Sequence, residues 1–324
     1  MLNQQYVNPF LEVVKNTEAF IHLSEATLSN RLSHAYIIES GDSFGALLLV
    51  RAVTSLSLQP QYLAHEGRHP DVYEAPKNDS KKILVADIDA IIEDTLKRPS
   101  YGDKKFYVLN NFDTANIQSQ NKLLKSLEEP AKGTHFFLCA ANTNALVQPV
   151  LSRCQKITLN NFTTADIQFA LSNTKIKADK IQINTAVELS GGSIQNTVNF
   201  LENKKKVQVF NTVLEVLLNI RSSKDVLGAV ALLTPYKDFV EDILGHIGTI
   251  LRDVMLLHIN EANNLSLKSY LGELEQLKEL YSIKAIANII LHLQQMAKRN
   301  NSNANFNSLL DDLVFGIAQF RSKR

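Results

Sequence analysis

The chain has 324 residues, which is too long for one average domain and suggests two or three. Hydrophobic residues make up 45% and charged residues 21%, as is usual for a globular protein with sizeable cores. The 34 basic and 33 acidic side chains give a formal net charge of +1. This balance gives no global signature of a nucleic-acid binder, so any DNA contact must come from a local patch or from partner subunits.

The cysteine content and the hydropathy pattern predict a cytoplasmic protein without membrane contact. Cys139 and Cys154 are the only cysteines, and two such residues make neither a disulfide framework nor a metal site. The polar stretch 1–8 does not resemble a signal peptide. No apolar run approaches the ~20 residues that are needed to span a bilayer.

The first ~160 residues predict an α/β domain, since short apolar runs alternate there with amphipathic stretches. Seven of the eight prolines also fall between Pro9 and Pro149, which indicates many turns. The runs of strand length are 34–38, 71–73, 106–109, 135–138 and 157–159, and the helical stretches between them are 45–58, 86–96, 114–127 and a brief one near 146–151. This order predicts a parallel sheet with helices on both faces.

After Asn161 the pattern changes to helices alone. Thr163 is a candidate helix cap, and the span 162–204 is short enough for a three-helix module. From residue 205 onward apolar residues recur at helical spacing, for example at Val209, Val213 and Val216, and a second and a third stripe begin at Phe239 and Ile283. We therefore expect three parts: an α/β core in 1–161, a small helical lid in 162–204 and a helical bundle in 205–324.

Several segments together resemble the clamp-loader branch of AAA+ proteins, and in particular its delta-prime type in bacterial DNA polymerase III. They are Asn8-Pro9-Phe10, the run 31–36, His69-Pro70-Asp71-Val72-Tyr73, the helix 121–130 (NKLLKSLEEP), and Pro149-Val150-Leu151-Ser152-Arg153-Cys154. The resemblance covers about half of the chain by motif and the rest by the order of domains. It implies an AAA+ core with a helical lid and a C-terminal collar that serves oligomerisation.

The phosphate-binding loop of this family is degenerate here. An active loop needs a glycine-rich turn followed by Gly-Lys-Ser/Thr, whose lysine reaches the β- and γ-phosphates. The corresponding segment, 39–45, reads ESGDSFG, and no lysine occurs between Lys15 and Lys77. Asp42 would place a negative charge beside the phosphates. The charges of the loop therefore no longer suit a nucleotide.

Two further departures indicate that the chain does not hydrolyse ATP. Where the family carries an Asp-Glu pair after the third strand, the sequence has Asn110 and Asn111, and amides are poor Mg²⁺ ligands and no general base. Asp113 follows them, and helix capping is the role that we expect for it. An arginine of active relatives, which reaches the phosphates from the lid, is replaced by Gln195.

The Ser152-Arg153-Cys154 motif survives. In the family, its arginine projects into the nucleotide site of a neighbouring subunit, where a cation stabilises the charge that develops during phosphoryl transfer. The resemblance therefore implies that Arg153 is catalytic in trans and that Ser152 and Cys154 belong to the same interface motif. The competing interpretation is that Arg153 only forms a salt bridge with a nearby carboxylate.

The resemblance also implies partners: gamma/tau-type ATPase subunits and a delta-type subunit, with the sliding clamp and primed DNA reached through the complex. We expect this chain to have no cofactor of its own. We also expect no metal, because the interval 57–67 lacks the four cysteines of the family's zinc module. Lys122 and Lys125 are interpreted as the solvated side of a helix. Two alternatives stay open, a clamp-opening delta-type subunit, which lacks the Ser-Arg-Cys pattern, and a weakly active AAA+ ATPase within the polymerase holoenzyme.

Overall fold

A computed structural model describes residues 7–77, 82–174, 178, 180–301 and 306–322. The chain divides into two compact units. Residues 1–176 and 192–198 form the first, here called the core unit, and residues 177–191 and 199–324 form the second, here called the helical unit. The division into three parts at residues 161 and 204 stays a prediction.

The core unit is built on a five-stranded sheet, counted over the described residues, in the order β2-β3-β4-β1-β5. All neighbouring strands are parallel. The strands are β1 Ala35–Glu39, β2 Val72–Ala75, β3 Lys105–Leu109, β4 Thr134–Ala140 and β5 Gln155–Thr158. The predicted α/β class is confirmed, and every predicted strand lies within two residues of an observed one.

The strands are apolar because helices cover the sheet on both faces. Every residue of β3 and β4 is buried, and Tyr107 stacks on Phe136 with ring centroids 5.2 Å apart. The edge strand β5 is mostly exposed, and its polar sequence Gln-Lys-Ile-Thr agrees with that position. The helices of this unit are α1 Val7–Lys15, α2 Glu18–Leu28, α3 Ser43–Ser55, α4 Gln61–His65, α5 Val85–Thr95, α6 Ile117–Glu128, α7 Gln148–Leu151 and α8 Thr164–Ser172.

The predicted start of α8 is confirmed in detail. The Thr163 hydroxyl accepts a hydrogen bond from the backbone N–H of Asp166, and the Asp166 carboxylate accepts one from the N–H of Thr163. This reciprocal capping box satisfies two amides that the helix itself leaves without acceptors.

The helical unit buries the apolar stripes that the sequence predicts. Val209, Val213 and Ile250 are all fully or almost fully buried, whereas Ile283, at the beginning of the third stripe, is 47% exposed. The helices are α9 Lys180–Ser190, α10 Ile194–Glu202, whose first residues belong to the core unit, α11 Lys204–Asn219, α12 Val226–Leu233, α13 Val240–His258, α14 Leu271–Leu280, α15 Ile283–Asn301 and α16 Phe306–Ser322. Among the described residues, none of the helices combines the length and the apolar composition that crossing a membrane requires.

Candidate functional site

The loop between β1 and α3 lies at the carboxyl ends of the strands, where parallel α/β sheets bind their ligands. Strand, turn and helix follow one another as in a phosphate-binding loop: β1 ends at Glu39 and α3 begins at Ser43. The backbone N–H of Ser40 donates to the carbonyl of Ala140 at 3.0 Å, which ties the loop to the end of β4. The order of strand, turn and helix is therefore that of a phosphate-binding loop, although the lysine is absent.

Asp42 occupies the middle of this loop, and it is only 1% exposed. Its carboxylate accepts hydrogen bonds from the backbone N–H of Phe44 at 3.2 Å and of Ile194 at 2.6 Å, and a longer one from Gln195 at 3.4 Å. Burial raises the pKa of Asp42, and the amide hydrogen bonds, including one from Gly45, only partly oppose that shift. One carboxylate thus meets the first turns of both α3 and α10.

Phe162 packs directly against the same loop. A Cβ atom added at Gly45 would lie 2.8 Å from the ring of Phe162, and one added at Gly192 would collide with the Phe162 carbonyl oxygen. Gly192 also has a φ angle of +86°, which residues with a Cβ atom rarely adopt. The backbone N–H of Phe162 donates to the Gly192 carbonyl at 3.0 Å. Protein atoms therefore fill the surroundings of the loop closely.

The carboxyl end of β3 carries amides instead of carboxylates. The Asn110 side-chain oxygen accepts from the N–H of Asn111 at 3.2 Å, and Asn111 has φ +57°. The capping role expected for Asp113 is wrong, since its carboxylate accepts from the N–H of Asn142 at 3.1 Å and Asn116 caps α6. Asp113 therefore joins the loops that follow β3 and β4.

Arg153 follows Ser152, which is the C-cap residue of α7. Its Nη1 atom donates to the Pro149 carbonyl at 2.8 Å, and its Nη2 atom contacts the Glu128 carboxylate at 2.5 Å. The pair is superficial: the Arg153 side chain is 34% exposed and that of Glu128 is 47% exposed. The structure thus contains the competing salt bridge, and it also leaves the guanidinium accessible.

Gln120, which the sequence analysis missed, fixes the segment that leads to Arg153. The side chain is 1% exposed on α6. Its amide nitrogen donates to the carbonyls of Ala115 and Ala145, and its oxygen accepts from the N–H of Val147 at 2.8 Å. A polar residue three positions before Leu123, on the apolar face of an amphipathic helix, is the signal that could have revealed it.

The two cysteines carry no reactive thiol. Cys139 is buried in β4, and Cys154, the third residue of the Ser152-Arg153-Cys154 motif, packs against the apolar core around the sheet. Burial raises the pKa of each thiol to about 12. Since the thiolate is the nucleophilic form, both residues act as small apolar side chains, as the sequence predicts.

The His69-Pro70-Asp71 motif has a structural role that its sequence did not reveal. The buried Asp71 carboxylate accepts from the backbone N–H groups of Ser100 and Tyr101, at 2.5 and 2.8 Å. The ring of His69 accepts from the N–H of Asp71 and lies edge-on to Tyr101. The motif therefore holds the loop before β3. The His65 ring forms a hydrogen bond with the Ser55 hydroxyl at 2.8 Å, so His65 and His69 contact different partners.

The described part of the chain contains no group of three or more His, Cys, Asp or Glu side chains that could hold a metal ion. The expectation that the protein has no zinc stays a prediction. On α6, Lys122 pairs with Asp89 at 2.7 Å, while Leu123 and Leu127 are buried, which confirms the predicted solvated and apolar sides of that helix.

The sequence is similar to those of subunits of bacterial DNA polymerase III. The family model described as "DNA polymerase III, delta subunit" matches residues 15–163. The chain is 26% identical to the DNA polymerase III subunit delta' of Bacillus subtilis over 313 residues, which cover 90% of this chain and 92% of that protein. It is also 26% identical to a gamma/tau subunit from Mycoplasma genitalium, over 63% of this chain and 34% of that protein.

A solved structure, that of a gamma-subunit-related protein of DNA polymerase III from Thermotoga maritima, aligns with 92% of this chain and 99% of its own, with a TM-score of 0.47 and 14% identity. The sequence relatives include both delta-prime and gamma/tau subunits. The match to the Bacillus subtilis delta-prime protein extends over nearly the whole length of both chains, whereas the match to the Mycoplasma genitalium gamma/tau subunit covers about a third of that protein. The sequence is thus similar to those of clamp-loader subunits of DNA polymerase III, and it resembles a delta-prime subunit over nearly its whole length.

Proposed function

We propose that this protein is a non-hydrolysing clamp-loader subunit of the delta-prime type. It scaffolds the complex and inserts Arg153 into the ATP site of a neighbouring subunit while the sliding clamp is loaded onto primed DNA. The observation that carries the proposal is a contrast within the core unit. The chain's own loop holds a buried carboxylate, Asp42, and lacks the lysine that an ATPase needs there. The Arg153 guanidinium, in contrast, remains on the surface.

The chain's own site is unsuited to ATP for electrostatic reasons. A triphosphate placed at the β1–α3 loop would meet the Asp42 carboxylate, and no lysine of that loop would compensate its charge. The two amides at Asn110 and Asn111 can neither neutralise a bound Mg²⁺ ion nor accept a proton from water at neutral pH. Gln195 adds no positive charge from α10.

Arg153 is suited to act outside its own chain. Surface ion pairs such as the one with Glu128 contribute only ~0–1 kcal/mol, so the guanidinium can exchange this carboxylate for a phosphate at little cost. Its hydrogen bond to the Pro149 carbonyl uses Nη1, and Gln120 holds the preceding segment, so the arginine starts from a fixed backbone. A planar guanidinium then matches phosphate oxygens in a bidentate way.

The domain division follows the same proposal. We assign the core to residues 1–161, a lid to 162–204, and to 205–324 a collar through which the subunits assemble. The partners are a gamma/tau-type ATPase and a delta-type subunit, which bring the sliding clamp and primed DNA into the complex. The chain has no cofactor and no metal of its own in this proposal, and it acts in the cytoplasm without contact to a membrane.

The proposal is tested by reconstituting the complex with the gamma/tau-type and delta-type subunits of the same organism. Arg153→Ala should assemble normally but lower DNA-stimulated ATP hydrolysis and clamp loading in part, because a single ATP site loses its arginine. Arg153→Lys should restore little, since an ammonium group lacks the planar fork.

Glu128→Gln is the matched control, because it breaks the same salt bridge and leaves the arginine in place. A complex assembled with this variant should hydrolyse ATP and load clamps like the complex that contains the unmodified chain. If Arg153→Ala leaves both activities unchanged, or if Glu128→Gln lowers them as strongly, Arg153 is a structural ion-pair partner and the proposed role is rejected. Gel filtration and circular dichroism exclude misfolding.

A further inference from the structure

One carboxylate connects two helix starts in the core unit. Asp42 caps α3 through the N–H of Phe44, and the same group accepts the N–H of Ile194 at 2.6 Å and of Gln195 at 3.4 Å. These two amides belong to the first turn of α10, which is separated from Asp42 by about 150 positions in the sequence. The bond is therefore a tertiary contact and no local capping interaction of α10.

The chemistry at this point is that of an anion held by backbone amides. The first N–H groups of a helix lack acceptors within the helix, and the helix dipole adds a partial positive charge there. Two helix starts converge on one carboxylate, and the side chain is 1% exposed, so water does not replace it as the acceptor. Without Asp42, the N–H of Ile194 would be left without an acceptor inside the protein, because Ile194 is itself fully buried.

We propose that Asp42 is a latch that fixes residues 192–198 on the β1–α3 loop without any ligand. In this chain the carboxylate supplies the negative charge that joins the two helix starts, so their relative position does not depend on a bound anion. Asp42 is then a positioning residue: its replacement changes the stability of the first turn of α10 and not the fold of the sheet. The latch does not depend on the role proposed for Arg153.

Two contacts of Phe162 explain why the fold should survive the loss of the latch. The Phe162 N–H still donates to the Gly192 carbonyl, and the ring of Phe162 packs against Gly45. These contacts keep residues 192–198 near the loop, but they leave the amides of Ile194 and Gln195 without the carboxylate. The expected effect is thus local opening of the first turn of α10.

The test is hydrogen–deuterium exchange of the full-length chain, followed by mass spectrometry of a peptide that covers 192–198. Asp42→Ala should accelerate exchange in this peptide by about tenfold or more, the effect of losing hydrogen bonds to a charged acceptor. Asp42→Asn retains one acceptor oxygen without the charge and should give a smaller acceleration. A peptide from α6 should exchange as in the unmodified chain.

Asp113→Ala is the matched control, since it also removes a carboxylate that accepts a backbone amide in the core unit, that of Asn142. It should leave the exchange of 192–198 unchanged. The latch is rejected if both folded Asp42 variants exchange 192–198 at the unmodified rate, or if Asp113→Ala accelerates that peptide equally. If Asp42→Ala does not fold, Asp42→Asn alone decides between the two results.

Discussion

The salt bridge between Arg153 and Glu128 allows a quantitative test of what holds the arginine in place. A double-mutant cycle of Arg153→Ala, Glu128→Gln and the double variant isolates the coupling free energy of the pair. Because both side chains are substantially exposed, 34% and 47%, we expect a coupling below about 1 kcal/mol. Arg153→Ala alone also loses the hydrogen bond to the Pro149 carbonyl and should cost about 1–2 kcal/mol.

The pair formed by Lys105 and Asp94 provides a positive control in the same unit. Its side chains are 7% and 21% exposed, their atoms lie 2.6 Å apart, and the Tyr107 hydroxyl donates to the same carboxylate. Burial alone would raise the pKa of Asp94, but the hydrogen bonds from Lys105 and Tyr107 outweigh it and the net pKa is lowered. Breaking this pair by Lys105→Met should cost about 3 kcal/mol or more.

The assay is native-state hydrogen exchange, with the slowest amides of β4 as the report on unfolding of the core unit, because the two units need not unfold together. A coupling above about 2 kcal/mol between Arg153 and Glu128 would show that the pair is a structural element. It would contradict the argument that the guanidinium is free to change partners.

Four further predictions concern other parts of the chain. Burial lowers the pKa of His246 to about 4, below the ~6.5 of the unfolded state. The free energy of unfolding of the helical unit should therefore fall by about 2 kcal/mol when the pH is lowered from 7 to 5. Urea denaturation should show this loss for the unmodified chain but not for His246→Phe. Asp253→Ala should cost roughly 2–4 kcal/mol in the same denaturation assay, since the buried carboxylate accepts the amides of Ser266 and Leu267; a loss below about 1 kcal/mol would speak against it. Calorimetry of the isolated chain should detect no saturable binding of Mg·ATP, and binding that a change within 41–48 abolishes would overturn this. Metal analysis should find no stoichiometric zinc. One tightly bound zinc ion per chain would contradict this prediction.

The central strands β3 and β4 were predictable from the sequence because they are buried on both faces. Runs such as 106–109 and 136–138 are continuously apolar or aromatic, and turn residues separate them, so their number and order could be inferred from local pattern alone. The start of α8 was equally local, since Thr163 and Asp166 satisfy each other across three residues.

The contacts that shape the site were not predictable, because they join residues far apart in the chain. The sequence shows that the loop around Asp42 lacks the lysine of the family, but not that the Asp42 carboxylate accepts hydrogen bonds from the amides of Ile194 and Gln195. Asp113 was expected to cap a helix, yet the nearby loop after β4 offers its carboxylate the amide of Asn142 instead. The hydrogen-bond partners of these carboxylates depend on tertiary packing, which hydrophobic periodicity and secondary-structure propensity do not encode.

The most direct test of the central claim is the amplitude of the first, rapid phase of ATP hydrolysis in the assembled clamp loader. This amplitude counts the ATP molecules that one assembly hydrolyses in its first turnover on primed DNA. If Arg153 serves the site of one neighbour, Arg153→Ala should lower the amplitude by one ATP per assembly, with the number of bound ATP molecules unchanged. An amplitude equal to that of the unmodified assembly would contradict the claim.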